Sequence, residues 1–236
     1  MEIYSRGGTN NNIIQGVSYY DLFFTYASKI AQKISSNHSI PAYTIPFGFD
    51  PVLVERYSSS FKDMLSNSFL FVGAWDKERE HDLETLGRDD VEIFGDSEWG
   101  LKTGKNKLVN RNYRHKKLYN EELYARIRSS MGVINIMRKQ NIVEGSHNMR
   151  TFEVPGYGGL LLSQFTEEQA DFFEPGKEAI YYQTIEELND KMTYLKNHPA
   201  SIREIKKNAL TRSLNSDYSY DHRAKKLLSI ISEHLN

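Results

Sequence analysis

Five short apolar runs punctuate the chain from Ser68 onward, with helical stretches between them. The runs are Phe69-Leu70-Phe71-Val72-Gly73, Val91-Glu92-Ile93-Phe94-Gly95, Val133-Ile134-Asn135-Ile136, Gly158-Gly159-Leu160-Leu161-Leu162 and Ala179-Ile180-Tyr181-Tyr182. Strands that are apolar along their whole length must be covered on both faces, and alternation with helices makes the sheet parallel. The expected fold class is therefore α/β, a Rossmann-like parallel sheet with helices on both faces. Ligands bind such sheets beyond the carboxyl ends of the strands, so the loops after Val72, Phe94, Ile136 and Leu162 carry the functional interest. Helices are expected over 77–86, 119–130, about 149–155, 167–172, 184–197, 199–214 and 218–234. Thr184 followed by Glu187 reads as a capping box, and Pro199 suits a first helical turn. Residues 96–117 read as a long polar connection.

Upstream of this pattern, residues 1–12 read as a flexible start, 20–26 as a strand, 27–34 as a helix and 42–45 as a second strand. The segment Pro46-Phe47-Gly48-Phe49-Asp50-Pro51 is a rigid connection, because proline fixes φ and glycine permits redirection. A domain boundary is expected just after it, dividing the chain into 1–55 and 56–236. Lys plus Arg total 30 against 31 Asp plus Glu, a balance unlike that of a general nucleic-acid binder. The absence of cysteine excludes disulfides and thiolate metal sites and suits a reducing cytoplasm. No run reaches the roughly 20 apolar residues that span a bilayer, and the first residues lack the apolar core of a signal peptide. Any membrane contact is expected to be peripheral.

Two segments carry candidate chemistry. Gly73-Ala74-Trp75-Asp76-Lys77-Glu78-Arg79 joins a strand to a helix, where backbone N–H groups and the helix dipole hold anions and Arg79 can grip a diphosphate. The bland alternative is a plain βα turn with a solvated arginine. In Asn148-Met149-Arg150-Thr151-Phe152-Glu153-Val154-Pro155-Gly156-Tyr157-Gly158-Gly159, a guanidinium and a carboxylate precede a glycine-rich turn. A carboxylate there can accept from a ribose diol, and the alternative is a salt-bridged surface pair.

The run from Arg150 to Gly159 resembles the R-x-F-E-x-x-x-x-G segment of CgeB-like glycosyltransferases. Phe173-Glu174-Pro175-Gly176, Thr184 to Leu188, His198-Pro199 and Tyr218 to Arg223 follow in the order of the wider group-1 superfamily. This resemblance, covering about residues 18–232, implies the C-terminal, nucleotide-sugar-binding half of a GT-B fold, with 1–55 a remnant of the acceptor-binding domain. It implies a retaining hexosyltransferase that uses a UDP- or GDP-sugar as substrate, requires no cofactor or metal, and acts on a cell-surface or spore-coat polysaccharide or related acceptor. A partner chain or domain would complete the acceptor site, and the alternative is a non-catalytic nucleotide-sugar-binding subunit. Catalytic positions fall to Glu153, on the ribose, and Arg150, a second phosphate contact beside Arg79. Donor contacts fall to Gly73, Asn148, Gly158 and Gly159, with Gly156 completing the turn.

Retaining members carry two glutamates with seven residues between them. Glu153 matches the second, whereas Gly145 occupies the first position and Glu144 is one residue off. The basic run from Leu101 to Leu118, with Lys102, Lys105, Lys107, Arg111, Arg114, Lys116 and Lys117, reads first as a solvated loop and second as an attractor of phosphates. The resemblance puts Tyr113 to Leu118 near the nucleobase. Trp75 and Trp99 suit either a sugar pocket or packing, and His147 is the one histidine close to the Arg150–Glu153 segment.

Overall fold

The computed structural model describes residues 15–58 and 65–235, so the expectation for residues 1–12 lies outside it. Strand β1 (Phe23–Thr25), the helix Ser28–His38 and strand β2 (Ala42–Thr44) form a βαβ unit with β1 and β2 parallel. The helix buries Ala31 and Ile34. The rigid connection then leads into the helix Pro51–Tyr57, where Asp50 accepts from the Val52 N–H at 2.9 Å and Pro51 occupies the first turn.

The main sheet has five parallel strands, β3 (Phe69–Val72), β4 (Val91–Phe94), β5 (Val133–Asn135), β6 (Leu161–Gln164) and β7 (Ile180–Tyr182), in the order β4-β3-β5-β6-β7. Side chains alternate across each strand, so neighbours in sequence enter opposite cores. Phe69, Phe71, Ile134 and Leu162 join one core, with Leu83, Leu188 and Ile202 from its helices. Leu70, Val133 and Leu161 join the other, with Tyr124, Ile127 and Phe152. Both faces are covered, as the continuous apolar runs require. The capping box is present, since Thr184 accepts from the Glu187 N–H at 3.2 Å.

Three segments differ from the sequence-based expectation. The connection over 96–117 contains two short helices, Glu98–Lys102 and Leu108–Asn112, which bury Trp99 and Val109. A further helix, Lys139–Glu144, follows β5. Strand β6 begins at Leu161 rather than at the glycines and runs on to Gln164. Gly158 is in the left-handed region at φ +75°, a turn conformation, and a Cβ on Gly159 would lie 2.5 Å from Ile127 Cγ2.

The last helix, Tyr220–Leu235, returns to the upstream unit. Phe49 and Tyr220 are joined by a backbone hydrogen bond of 3.0 Å, and Arg223 Nε donates to the Phe47 carbonyl at 3.1 Å. Among the described residues no helix is long and apolar enough to cross a membrane.

Candidate functional site

Strand β3 pairs with β4 on one side and β5 on the other, so the chain leaves the sheet in opposite directions from the carboxyl ends of these neighbours. That arrangement opens a crevice, the topological switch point where α/β sheets take their ligands. Here it is an open cleft of about 380 Å3, lined by Gly73, Arg79, Asn135, Arg138, Asn148 and Arg150 among others. Tyr26 and Phe47 of the upstream segment form an aromatic side of it, their rings 4.9 Å apart.

Three arginines reach this cleft, two from the first turns of helices and one from the loop after β5. Arg79 stands in the first turn of the helix Lys77–Leu86, which Asp76 caps by accepting from the Glu78 N–H. Its Nε donates to the Ile136 carbonyl at 3.1 Å and its Nη1 to the Ala74 carbonyl at 3.4 Å. Backbone dipoles hold this guanidinium, and no carboxylate among the described residues is ion-paired with it. Burial, then the charges of Arg138 and Arg150, hold its pKa below the usual arginine value. Arg138 follows β5, is exposed, and forms no ion pair with a described residue. Arg150 Nε donates to the Val72 carbonyl at 3.4 Å, and its Nη1 pairs with Glu153 one helical turn on. Burial raises the Glu153 carboxyl, and the adjoining Arg150 opposes that shift. Arg150 thus neighbours both Arg79 and Glu153. The sequence reading missed Arg138; its only signal was a position just beyond a strand-end loop already of interest.

Gly73 lines the cleft, but its N–H is engaged with the Phe94 carbonyl at 3.0 Å, and the Trp75 N–H points to the Asp96 carboxylate at 3.3 Å. These two amides of the expected anion cradle are therefore already used inside the fold. The charge facing the cleft comes chiefly from side chains.

A family model described as Glycosyl transferase-like matches residues 70–229, well over half of the 236 residues. The chain belongs to that family. Solved structures share its fold at low identity. Sucrose-phosphate synthase from Thermosynechococcus elongatus superposes with a TM-score of 0.65 at 13% identity, over 99% of this chain and 63% of that one. S. aureus TarM, solved with Fondaparinux, alpha-GlcNAc-glycerol and UDP, gives 0.64 at 14% identity over 94% and 46%. Anabaena HepE, in complex with UDP and glucose, gives 0.62 at 12% identity over 95% and 67%. No curated protein matches the sequence. The chain thus spans less than two thirds of the length of the first two structures. Its fold is of the GT-B, Rossmann-like type.

The other singled-out residues of this glycosyl transferase-like chain lie elsewhere. Gly158 and Gly159 precede β6, at the amino ends of the strands, and Gly158 borders a different hollow beside Arg128 and Leu210. Gly156 packs on Phe49, whose Cγ would lie 2.4 Å from an added Cβ. Trp99 is fully buried and donates to the Gly73 carbonyl at 2.9 Å, bracing the loop from behind. The Trp75 indole donates to Glu80 at 2.7 Å under the Lys102 ammonium. Neither tryptophan lines the cleft. The basic run is tied down by acids from outside it: Lys107 to Glu80, Arg114 to Glu92, Lys116 to Glu122, Lys102 to Glu98 and Arg111 to Asp89. Tyr113 is buried with its hydroxyl on the Asp96 carbonyl at 2.7 Å.

His147 is a structural pin. Its Nε2 accepts from the Phe47 N–H at 3.1 Å, so the ring proton sits on Nδ1, 2.9 Å from Glu168 Oε2. Burial works against ionisation of Glu168, but hydrogen bonds from His147 and Ser28 outweigh it and hold the carboxyl below its usual range.

Gly145, where the resemblance sets the first glutamate of retaining members, ends a helix at φ +64°, and an added Cβ would lie 2.9 Å from Lys29 Nζ. A side chain at 145 would be strained in that conformation. Glu144 is buried, with Oε1 accepting from Gln140 at 2.9 Å and Oε2 without a hydrogen-bond partner among the described residues. Burial pushes its carboxyl up. A raised carboxyl costs stability as pH rises through its folded pKa and costs nothing below its unfolded one. Glu144→Gln is thus expected to raise the Tm at neutral pH by about 2–4 °C, the equivalent of about 1 kcal/mol of relieved burial cost. The gain should vanish below the ordinary carboxylate range; a gain independent of pH would show that ionisation is not its source.

Proposed function

We propose that the cleft holds the diphosphate of a UDP- or GDP-sugar and that the chain is a retaining, CgeB-like hexosyltransferase. Its acceptor would be a cell-surface or spore-coat polysaccharide or a related glycan. The observation that carries this reading is the convergence of Arg79, Arg138 and Arg150 at the switch point, two of them with no ion-paired acid among the described residues. The bond that breaks joins the anomeric carbon to the diphosphate oxygen, and its electron pair leaves with the diphosphate. Guanidinium groups fixed in the cleft before the donor arrives would lower the barrier, because they need little reorganisation as the charge develops. In this reading Arg79 and Arg150 hold the phosphates, Arg138 adds a third charge, and Glu153 accepts from the ribose diol.

The same reading takes residues 56–236 as the nucleotide-sugar-binding domain and residues 1–55 as the end of an acceptor-binding domain. A partner chain or domain would supply the rest of the acceptor site. The enzyme would work in the cytoplasm, with at most peripheral membrane contact and no resident cofactor or metal.

Calorimetric titration with UDP, GDP and their sugars, followed by an assay for sugar released from the donor, tests this reading. Binding that weakens with added salt, followed by turnover, is the expected result. Failure of both nucleoside diphosphates to bind the folded protein would end it. Binding without turnover, with acceptor or water, would favour a non-catalytic nucleotide-sugar-binding subunit. The glycine at position 145, where the family's retaining members carry a carboxylate, supports that second reading.

A further inference from the structure

Beneath the arginine cluster lies a network of neutral polar groups, of which the donor-binding reading gives a role to Asn148 alone. Asn135 ends β5 and is 4% exposed. A buried amide costs free energy unless its donors and acceptor are all paired. Asn135 meets that requirement through a head-to-tail pair with Asn148: its Oδ1 accepts from Asn148 Nδ2 at 2.9 Å, and its Nδ2 donates to Asn148 Oδ1 at 3.3 Å. The remaining Nδ2 hydrogen goes to Ser163 Oγ at 3.0 Å. The network continues through Gln169, whose Oε1 accepts from Ser163 Oγ at 3.0 Å and from Thr151 Oγ1 at 2.9 Å.

Two members of this network flank the start of one helix, Arg150–Gly156: Asn148 just before it and Thr151 in its first turn. Asn148 Oδ1 accepts from the Arg150 N–H at 3.0 Å, and Thr151 is anchored through Gln169. The first turn is thereby fixed on both sides of Arg150. That residue has the Val72 carbonyl and Glu153 as its side-chain partners, so its direction depends on the turn that carries it.

We propose that Asn135 is a positioning residue: through Asn148 it sets the turn that aims the Arg150 guanidinium at the diphosphate. The proposal rests on the reading of the cleft as a nucleoside diphosphate site. Because every group in the chain Asn148–Asn135–Ser163–Gln169–Thr151 is uncharged, the positioning should persist across the neutral pH range.

The test is a double-mutant cycle of Asn135→Ala with Arg150→Gln, reading the UDP dissociation constant by calorimetry and the Tm of each protein without ligand. Asn135→Ala alone should weaken UDP about tenfold, the scale for misdirecting one charged hydrogen bond. In the Arg150→Gln background it should change UDP affinity by less than about twofold, since the group it positions is gone. Its effect on Tm should be the same in both backgrounds. A residue of purely structural importance would lower UDP affinity equally in both, and that outcome overturns the proposal, as does unchanged affinity in the single variant. Should Asn135→Ala fail to fold, the near-isosteric Thr151→Val cuts the network at the helix and carries the same cycle. A wild-type protein that binds no UDP or GDP ends the donor-site reading and the proposal with it, a result distinct from additive effects in a protein that does bind.

Discussion

Arg79→Gln is expected to weaken UDP or GDP binding by about 10- to 100-fold while moving the Tm of the free protein by only a few degrees. Hydrogen bonds to charged groups contribute about 1.5–3 kcal/mol, and about 1.4 kcal/mol is tenfold in affinity. Arg79 sits at the upper end of that range for a structural reason. Its guanidinium is oriented by the Ile136 and Ala74 carbonyls, and its charge is not cancelled by an ion-paired acid among the described residues. Burial and the charges of Arg138 and Arg150 already disfavour its ionised form, so an arriving dianion relieves a repulsion as well as forming a contact. The substitution removes two hydrogen bonds to carbonyls but also removes one of three crowded positive charges, and these effects on stability oppose each other. Arg138→Gln should cost less, because that side chain is exposed and its field is screened. Calorimetry at two salt concentrations checks both, and equal affinity for wild type and Arg79→Gln would remove Arg79 from the site.

Gly95→Ala should destabilise the whole domain by about 3 kcal/mol, the severe end of overpacking, which corresponds to a Tm lower by roughly 6–12 °C. An added Cβ would lie 2.1 Å from the Gly73 carbonyl oxygen and 2.6 Å from Trp99 Nε1. One obstacle is backbone on the neighbouring strand end, and the other is a fully buried indole that donates to that same carbonyl. Neither can swing away as the tip of a flexible side chain would. Since the displaced carbonyl belongs to Gly73, on the wall of the cleft, any folded fraction should also bind UDP more weakly. Gly104→Ala is the control: the closest atom to its added Cβ is Lys107 Cγ at 3.8 Å, and its Tm should stay within about 1 °C of wild type. A Gly95→Ala protein as stable as that control would show that the strand ends can part.

The strands and most of the helices were legible because their signals are local. Each apolar run from Phe69 to Tyr182 buries both faces of its strand, and the Thr184 and Pro199 helix starts act through bonds within one turn. Three features of the site were not legible for the opposite reason. Arg138 belongs to no motif and gains its meaning only from β5 lying beside β3. The basic run over 101–118 contains no acidic residue, yet Glu80, Glu92 and Glu122 meet it from other elements. The resemblance places Gly158 and Gly159 at the donor, but a glycine-rich turn does not announce which end of its strand it occupies, and here it lies at the amino ends.

The amino-acid sequence alone therefore determined the α/β class, the parallel sheet covered on both faces, and the candidacy of Arg79, Arg150 and Glu153. Periodicity and capping are read residue by residue, and many residues report the same answer. Tertiary structure alone decided that β3 sits between β4 and β5, that three arginines share one cleft, and that His147 and both tryptophans are spent on packing. Those outcomes depend on contacts between residues far apart in the chain, set by strand order and close packing, and no local pattern encodes which distant side chain will arrive.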